Sequence, residues 1–401
     1  MKVFVLNVSI ATMLLVVVVR GLNTLPIDFG VVDPLEQALS DFEMTDLVFS
    51  QFSDDRPVRL DTNIVIVNIG GSGVSREDIA TALDIVARRQ PAVIGVDVLF
   101  DPTIRNGLDT IRAVLQQHQN IVLAIKIQED STTQIAIPRT AIDIPFRSGH
   151  VNWPDAEQGY RTVRRYEPYR TSKQQRLPSF ALAIASAYDP FVQDVVDARQ
   201  HEAESIAFQK QRTWWTLSVT DILRNPQVAE FARGRIILFG YLGEVLGDTM
   251  SVEDRFWTPL NHAYAGRSHP DMYGVEIHAN IISTLLHRDF IDTVSETTVS
   301  FAFIVVILLN VALFAFVEQR LGSFYDVICK TVQIVESIAL LILALFLFEA
   351  QRLVVPVSDT ILGVILASDI FSVYLSFARA APTLRRKLMT TLQRFTSTGA
   401  T

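Results

Sequence analysis

Four long apolar runs decide what this chain can fold into. They are Val3 to Val19, Val299 to Val317, Thr331 to Phe348 and Ile361 to Ala378. Each approaches the ~20 residues a helix needs to cross a bilayer. Each therefore predicts a transmembrane α-helix: an anchor over 3–19 and three spans over 299–317, 331–348 and 361–378. An even number of crossings puts both ends of the chain on one side. The mixed stretch between the first two runs, Arg20 to Thr298, is then one folded domain on the other side, pinned at both ends.

Basic residues orient this layout. Lys2 precedes the first run, and Arg320 and Lys330 lie between the second and third. Arg379, Arg385, Arg386, Lys387 and Arg394 follow the fourth, with no Asp or Glu beyond Asp369. Basic flanks stay cytoplasmic, so both termini, including a basic tail over 379–401, are expected inside and the domain outside. The first run is longer than a signal-peptide core and has no small-residue cleavage site before Arg20, which favours an uncleaved anchor. The net charge of −8 conceals an acidic exterior and a basic tail. An acidic exterior argues against nucleic acid as a partner. The single cysteine, Cys329, falls in the expected turn between the second and third spans, so no disulfide can form within the chain. A domain of this size without thiols suits a bacterial periplasm, with the spans in the inner membrane.

Within the domain, Val32 to Phe52 has helical apolar spacing. NIVIVNI at 63–69, VIGVDVLF at 93–100, NIVLAIKI at 120–127 and RIILFGY at 235–241 read as buried strands. Helices are predicted over 76–89, 107–118, 178–188 and 275–287. Apolar strands alternating with helices predict an α/β domain with a mostly parallel sheet. The alternating stretch 149–177, with its turn DAEQGY, predicts a hairpin added to that sheet. Residues 242–274 predict a long loop.

The glycines at 70, 71 and 73 sit where dinucleotide loops sit, but Arg76 replaces the third glycine of that motif. Ser75 followed by Asp78 reads instead as a helix cap. There is no GxSxG, HExxH or paired CxxC, so catalytic residues and cofactors are not expected, and the metal question stays open. The carboxylates say more. Asp97 and Asp101 flank the end of the second strand, and Asp248 and Asp254 follow the strand ending at Tyr241. Ligands of open parallel sheets gather beyond the carboxyl ends of the strands. These groups would suit a hard cation or a cationic ligand; their plainer role is capping turns.

These segments also carry a resemblance. IVIVNI, AVIGVDVLFDPT at 92–103, GHVNWPDAEQGYRTVRR at 149–165, LPSFALAIA at 177–185, GRIILFGYLGEVLGD at 234–248, DRFWTPL at 254–260 and GVEIHANIISTLL at 274–286 resemble the type-two CHASE domain family over about residues 33 to 290. The resemblance implies an extracytoplasmic sensory domain whose output is a histidine kinase, a nucleotide cyclase or a serine/threonine kinase. It singles out Asp97, Asp101, His150, Asn152, Asp248, Asp254, Glu276, His278 and Asn280 as ligand-binding candidates. The chain departs from the family in having Asn68, Gly70 and Gly71 where acidic residues are common. It also departs in the ~22 residues that follow Arg379, too few for a catalytic domain.

Inside the apolar runs, ionisable groups are costly in hydrocarbon. Asp369 lies near the middle of its run and needs a polar neighbour. Asn310, Glu336 and Ser337 are the candidates within the chain, and a partner's polar or basic group is the alternative. Together these readings predict a sensor subunit in the bilayer. It would be no enzyme itself, and would be coupled to a separate cytoplasmic kinase or cyclase, to other membrane subunits, or to a second copy. The competing expectations are an assembly subunit of a membrane complex and, more weakly, a periplasmic enzyme.

Overall fold

The computed structural model describes residues 2–22, 49, 61–71, 73–100, 107–129, 136–139, 142–154, 162–172, 175–209, 214–245, 253–261 and 269–398. The chain divides into two compact units: Gly30–Ile291, and a helical unit made of Met1–Phe29 with Asp292–Thr401. The helix expected over Val32 to Phe52 and the DAEQGY turn lie outside the described residues, apart from Phe49.

Helix α1 (Lys2–Leu22) opens the chain. The first unit then runs β1 (Ile64–Asn68), α2 (Arg76–Ala87), β2 (Val93–Val96), α3 (Leu108–Gln117), β3 (Ile121–Glu129), β4 (Ala136–Arg139) and β5 (Arg147–His150). It continues with β6 (Arg165–Tyr166), β7 (Tyr169–Ser172), β8 (Gln175–Pro178), α4 (Phe180–Tyr188), α5 (Phe191–Arg199), β9 (Glu204–Ser205), β10 (Trp215–Ser218) and α6 (Val219–Arg224). A 3₁₀ turn (Pro226–Ala232) leads into β11 (Ile236–Gly240), β12 (Arg255–Phe256), β13 (Met272–Tyr273) and α7 (Gly274–His287).

Among the described residues, six strands form a parallel sheet in the order β10-β1-β11-β2-β3-β5, and β4 adds an antiparallel strand on β3. The runs 64–67, 93–96 and 236–239 are buried on both faces, which is why they read as continuous apolar stretches rather than alternating ones. Val65, Val67, Ile94, Val96, Ile237 and Phe239 share one core with Leu83 of α2, Ile111 of α3 and Ile222 of α6. Helices α4 and α7 pack against the sheet and each other. Ser75 caps α2 as expected: its hydroxyl accepts from the Asp78 amide (3.1 Å) and its own amide donates to the Asp78 carboxylate (2.9 Å).

The expected hairpin lies at the carboxyl end of the predicted stretch but is not part of the main sheet. It is β7–β8, over Tyr169–Pro178, and it forms a separate two-stranded sheet. The strand expected over 93–100 ends at Val96, and the expected loop over 242–274 contains the short antiparallel pair β12–β13. Strand β10 and helix α5 carry no strong periodic signal and went unforeseen.

Two glycines set how close the helices come. A side chain on Gly149 of β5 would fall on the Phe180 backbone at the start of α4. One on Gly240 of β11 would overlap the Val275 side chain at the start of α7 (2.5 Å to its Cβ).

The helical unit comprises α1, α8 (Glu296–Leu321), α9 (Tyr325–Gln351) and α10 (Ser358–Thr398), with β14 (Asp292–Thr293) paired in parallel to β15 (Leu353–Val354). Among the described residues, three helical stretches are long and apolar enough to cross a membrane: Phe4–Leu22, Glu296–Gln351 and Ser358–Ala380. The second is 56 residues long and is broken by a 3₁₀ turn at Gly322–Phe324 into α8 and α9. Where a thirteen-residue turn was expected between apolar runs, the turn is three residues, so Cys329 and Lys330 lie inside α9.

Polar bonds show how these helices run. Arg20 at the end of α1 donates to Ser300 at the start of α8 (2.9 Å) and to Asp359 at the start of α10 (3.4 Å). Tyr374, far along α10, donates to Asn7 near the start of α1 (2.9 Å). Gln333 of α9 donates to the Val364 and Ile365 carbonyls of α10, while Tyr325, earlier in α9, reaches Ser368, later in α10. Helices α1 and α9 thus run opposite to α8 and α10.

The unit Gly30–Ile291 contains a complete core and no cysteine. Expressed alone, it is expected to melt cooperatively and independently of reductant. Gly149→Ala in that unit is expected to lose about 1–3 kcal/mol in chemical denaturation, the usual cost of overpacking. A reductant-sensitive melt, or an unchanged Gly149→Ala midpoint, would contradict this packing.

Candidate functional site

The carboxyl ends of β1, β11, β2 and β5 lie along one edge of the sheet, and the start of α7 faces it. Four local choices build the edge. Asn68 ends β1 fully buried, and its amide binds three backbone groups. It donates to the Gly243 carbonyl (2.9 Å) and accepts from the amides of Gly70 and Leu242 (2.8 Å each). That donor role needs an amide, since a carboxylate there would face the Gly243 oxygen with no proton to give. Asp254 holds a left-handed backbone (φ 52°), and its carbonyl accepts from the Gly274 amide (3.1 Å). Glu276 caps α7 by accepting from the Tyr273 amide (3.0 Å). Asp271 is held by the Thr258 amide (2.8 Å) and hydroxyl and by Asn261.

At the centre stand Asp97 and His278. Asp97 follows the last residue of β2, and its amide donates to the Phe239 carbonyl (2.8 Å). The His278 ring, 3% exposed, stacks on Trp153 (centroids 4.9 Å, 26°) and lies edge-on to Phe180 (5.0 Å). Its Nε2 is 4.0 Å from Asp97 Oδ2, and no described group hydrogen-bonds its Nδ1. Burial, with His150 nearby, holds the imidazole down to about 3, so it is neutral at physiological pH. Burial, then the neighbouring Asp254 carboxylate, pushes Asp97 up to about 8. Partial burial of its carboxyl group, then Glu253, raises Asp254 to about 6. Asp254 is the more exposed residue of the two, and its shift is the smaller. Near neutrality this edge therefore carries two carboxyl groups short of countercharge beside a neutral imidazole.

The other candidates divide sharply. Asn152 accepts from the Ile127 amide (2.9 Å) and donates to its carbonyl (2.8 Å), continuing the β3–β5 ladder with a side chain. Asn280 accepts from the Gln209 amide (2.7 Å) and donates to the Glu276 carbonyl (2.9 Å), pinning a loop to α7. His150, buried at the end of β5, is coupled electrostatically to His278. Asp101 and Asp248 lie outside the described residues. Among those described, no three His, Cys, Asp or Glu side chains are placed to hold a metal ion. Trp153, Asp271 and Thr258 were not singled out from sequence. Only their place in segments resembling the family could have marked Trp153 and Thr258.

The candidates inside the helical unit find partners within the chain. Asn310 of α8 donates to Glu336 of α9 (2.9 Å) and to the Val306 carbonyl (3.1 Å). Asp369 of α10 does not meet Asn310, Glu336 or Ser337. Its two oxygens accept from Lys330 of α9 (3.0 and 2.9 Å).

A family model described as the CHASE2 domain matches residues 11–316, from within α1 to within α8. No similar curated protein and no similar solved structure was found.

The shifts at the edge fix a pH dependence. From the ordinary carboxyl value of 3.8 up to about 8, folded Asp97 keeps a proton that the unfolded chain has lost, so its contribution to stability falls as pH rises. From about 3 to 6.5 the unfolded chain binds a proton on His278 that the folded state refuses, so that contribution rises with pH. Above 6.5 the Asp97 slope stands alone of the two. Stability is expected to fall between pH 6.5 and 8 by up to about 1.4 kcal/mol per unit. Asp97→Asn, which mimics the protonated acid, should flatten that fall. Denaturant midpoints across this range check it, and an equal slope in both proteins would count against a protonated Asp97.

Proposed function

We propose, because this chain belongs to the CHASE2 domain family, that it is a membrane-anchored sensor subunit. Its exported domain detects a cationic ligand at the Asp97–Asp254 edge. It signals through the helical unit to a cytoplasmic kinase or cyclase carried by another chain. The family is a sensory, extracellular one, and the apolar helices supply the anchoring. The chain itself is read as non-catalytic: no described nucleophile stands beside a base at this edge.

One observation carries the reading. Helix α7, which lays His278 beside Asp97, ends at His287, and residues 288–291 lead into β14. That strand enters α8 and is paired to β15, which joins α9 to α10: the Asp292 amide donates to the Arg352 carbonyl and the Val294 amide to the Val354 carbonyl. A ligand that drew Asp97 and Asp254 together would shift α7. The chain would hand that shift to a clasp shared by three helices. A cation suits the edge because it supplies the countercharge both carboxyl groups lack.

The alternating helix directions support reading the 56-residue stretch as two crossings and the unit as four. Lys2, Arg320 and Arg379 then share one end, where Arg379 pairs with Glu318, and that end is cytoplasmic. A reporter active only in the periplasm is expected to be silent after Thr401 and active within 262–268. The reverse pattern would overturn the orientation.

Ligand detection is tested on the full chain in lipid nanodiscs by thermal shift, with Mg²⁺, Ca²⁺, spermidine and a quaternary amine as probes. One of them is expected to raise the melting point of the wild type by several degrees at saturation, and to leave Asp97→Asn/Asp254→Asn unmoved. If none does, the assembly-subunit reading takes over. The commitment of Asn152 and Asn280 to backbone bonds confines the proposed ligand contacts to the carboxylate edge.

A further inference from the structure

The ion pair Lys330–Asp369 faces outward. Within the single chain the two side chains are 50% and 61% exposed. The interior of the same helix pair is lined by Tyr325, Gln333 and Ser368, which bond to one another across α9 and α10. Asp369 lies midway along the apolar stretch Ser358–Ala380. The pair is set among exposed apolar residues, Val327 and Ile334 on α9 with Ile365 and Val373 on α10. In a bilayer this would present two charges to hydrocarbon, where ionisable groups otherwise face a bundle interior or a polar partner. The exposed faces of α1 (Val5, Met13, Val17) and α8 (Phe301, Leu309, Phe316) are apolar by contrast.

The pair is self-complementary. A two-fold axis beside it brings Lys330 of one chain against Asp369 of a second copy, and the reverse, in a ring of alternating charge. Each group has capacity to spare. The ammonium has three protons and makes two bonds to Asp369 in its own chain, while each carboxylate oxygen can accept again. An unrelated partner would have to supply a matched pair of its own; a second copy supplies it by construction.

We propose that the α9–α10 face carrying Lys330 and Asp369 is the surface through which two copies of this chain pair within the membrane. This rests on the membrane-spanning reading of the helical unit and not on what the exported domain detects.

The test exchanges the charges without breaking the intrachain pair. The full-length double variant Lys330→Asp/Asp369→Lys keeps one cation and one anion in contact within its own chain, so it should enter the membrane and fold as the wild type does. Two copies of the variant remain complementary. A variant and a wild-type copy bring Asp against Asp and Lys against Lys. Differently tagged chains are co-expressed, extracted in mild detergent and captured through one tag. Wild type should recover wild type and the variant should recover itself, while the mixed combination falls about tenfold. Equal recovery of all three combinations, or wild-type copies that do not recover one another, overturns the proposal. A wild-type chain recovered only with a different polypeptide overturns it too. Neither result touches the thermal-shift test of sensing, so the two readings fail separately.

Discussion

The seat of α7 on β11 is the contact on which the exported domain depends. Val275 occupies the space a side chain on Gly240 would need, so the helix lies as near the sheet as backbone sterics permit. That closeness brings His278, one turn further on, over Asp97 and into the aromatic slot of Trp153 and Phe180. It also gives the string GVEIHAN at 274–280 its order. Glycine leaves room for the Asp254 carboxylate, valine meets the sheet, and glutamate caps the helix. Isoleucine enters the core, histidine fills the slot, and asparagine holds the loop at Gln209. These six residues have different jobs, which no hydrophobic pattern would specify.

Much of the fold was legible because burial on both faces of a parallel sheet leaves long apolar runs, and the cap at Ser75 and Asp78 is local. Other features depended on pairing across the chain. Strand β10, with half its residues exposed, looks like a loop until β1 is beside it. The hairpin was expected on the main sheet because its alternation shows a half-buried ribbon but not what it covers. Lys330 was taken for a loop charge because the apolar run begins just after it. Helix α9 in fact starts at Tyr325, and the lysine's true partner is thirty-nine residues away. Among the candidate residues, the place of Asp97 at the edge was legible from its position after a buried strand, where ligands of parallel sheets gather. Asn152 and Asn280, singled out by the family resemblance, show the limit of sequence reasoning, since sequence does not reveal whether an amide faces a ligand or the chain's own backbone.

The two units treat their acidic side chains in opposite ways. In the helical unit Asp359 meets Arg20, Glu318 meets Arg379, Asp369 meets Lys330, and Glu336 accepts a hydrogen bond from Asn310. Each of these four acids has a donor, as a low-dielectric solvent demands. In the exported domain the influences on Asp97 are burial and another carboxylate, both unfavourable to its charge, and the nearby imidazole is itself kept neutral. No described Lys or Arg pairs with Asp97 or Asp254. A proton is what fills that deficit in the free protein, and a bound cation would have to displace it. Affinity for a cation at this edge would therefore rise with pH through the range where Asp97 titrates. The two units thus differ in where the countercharge comes from: the helical unit supplies it from its own chain for Asp359, Glu318 and Asp369, and among the described residues no Lys or Arg supplies it at the Asp97–Asp254 edge.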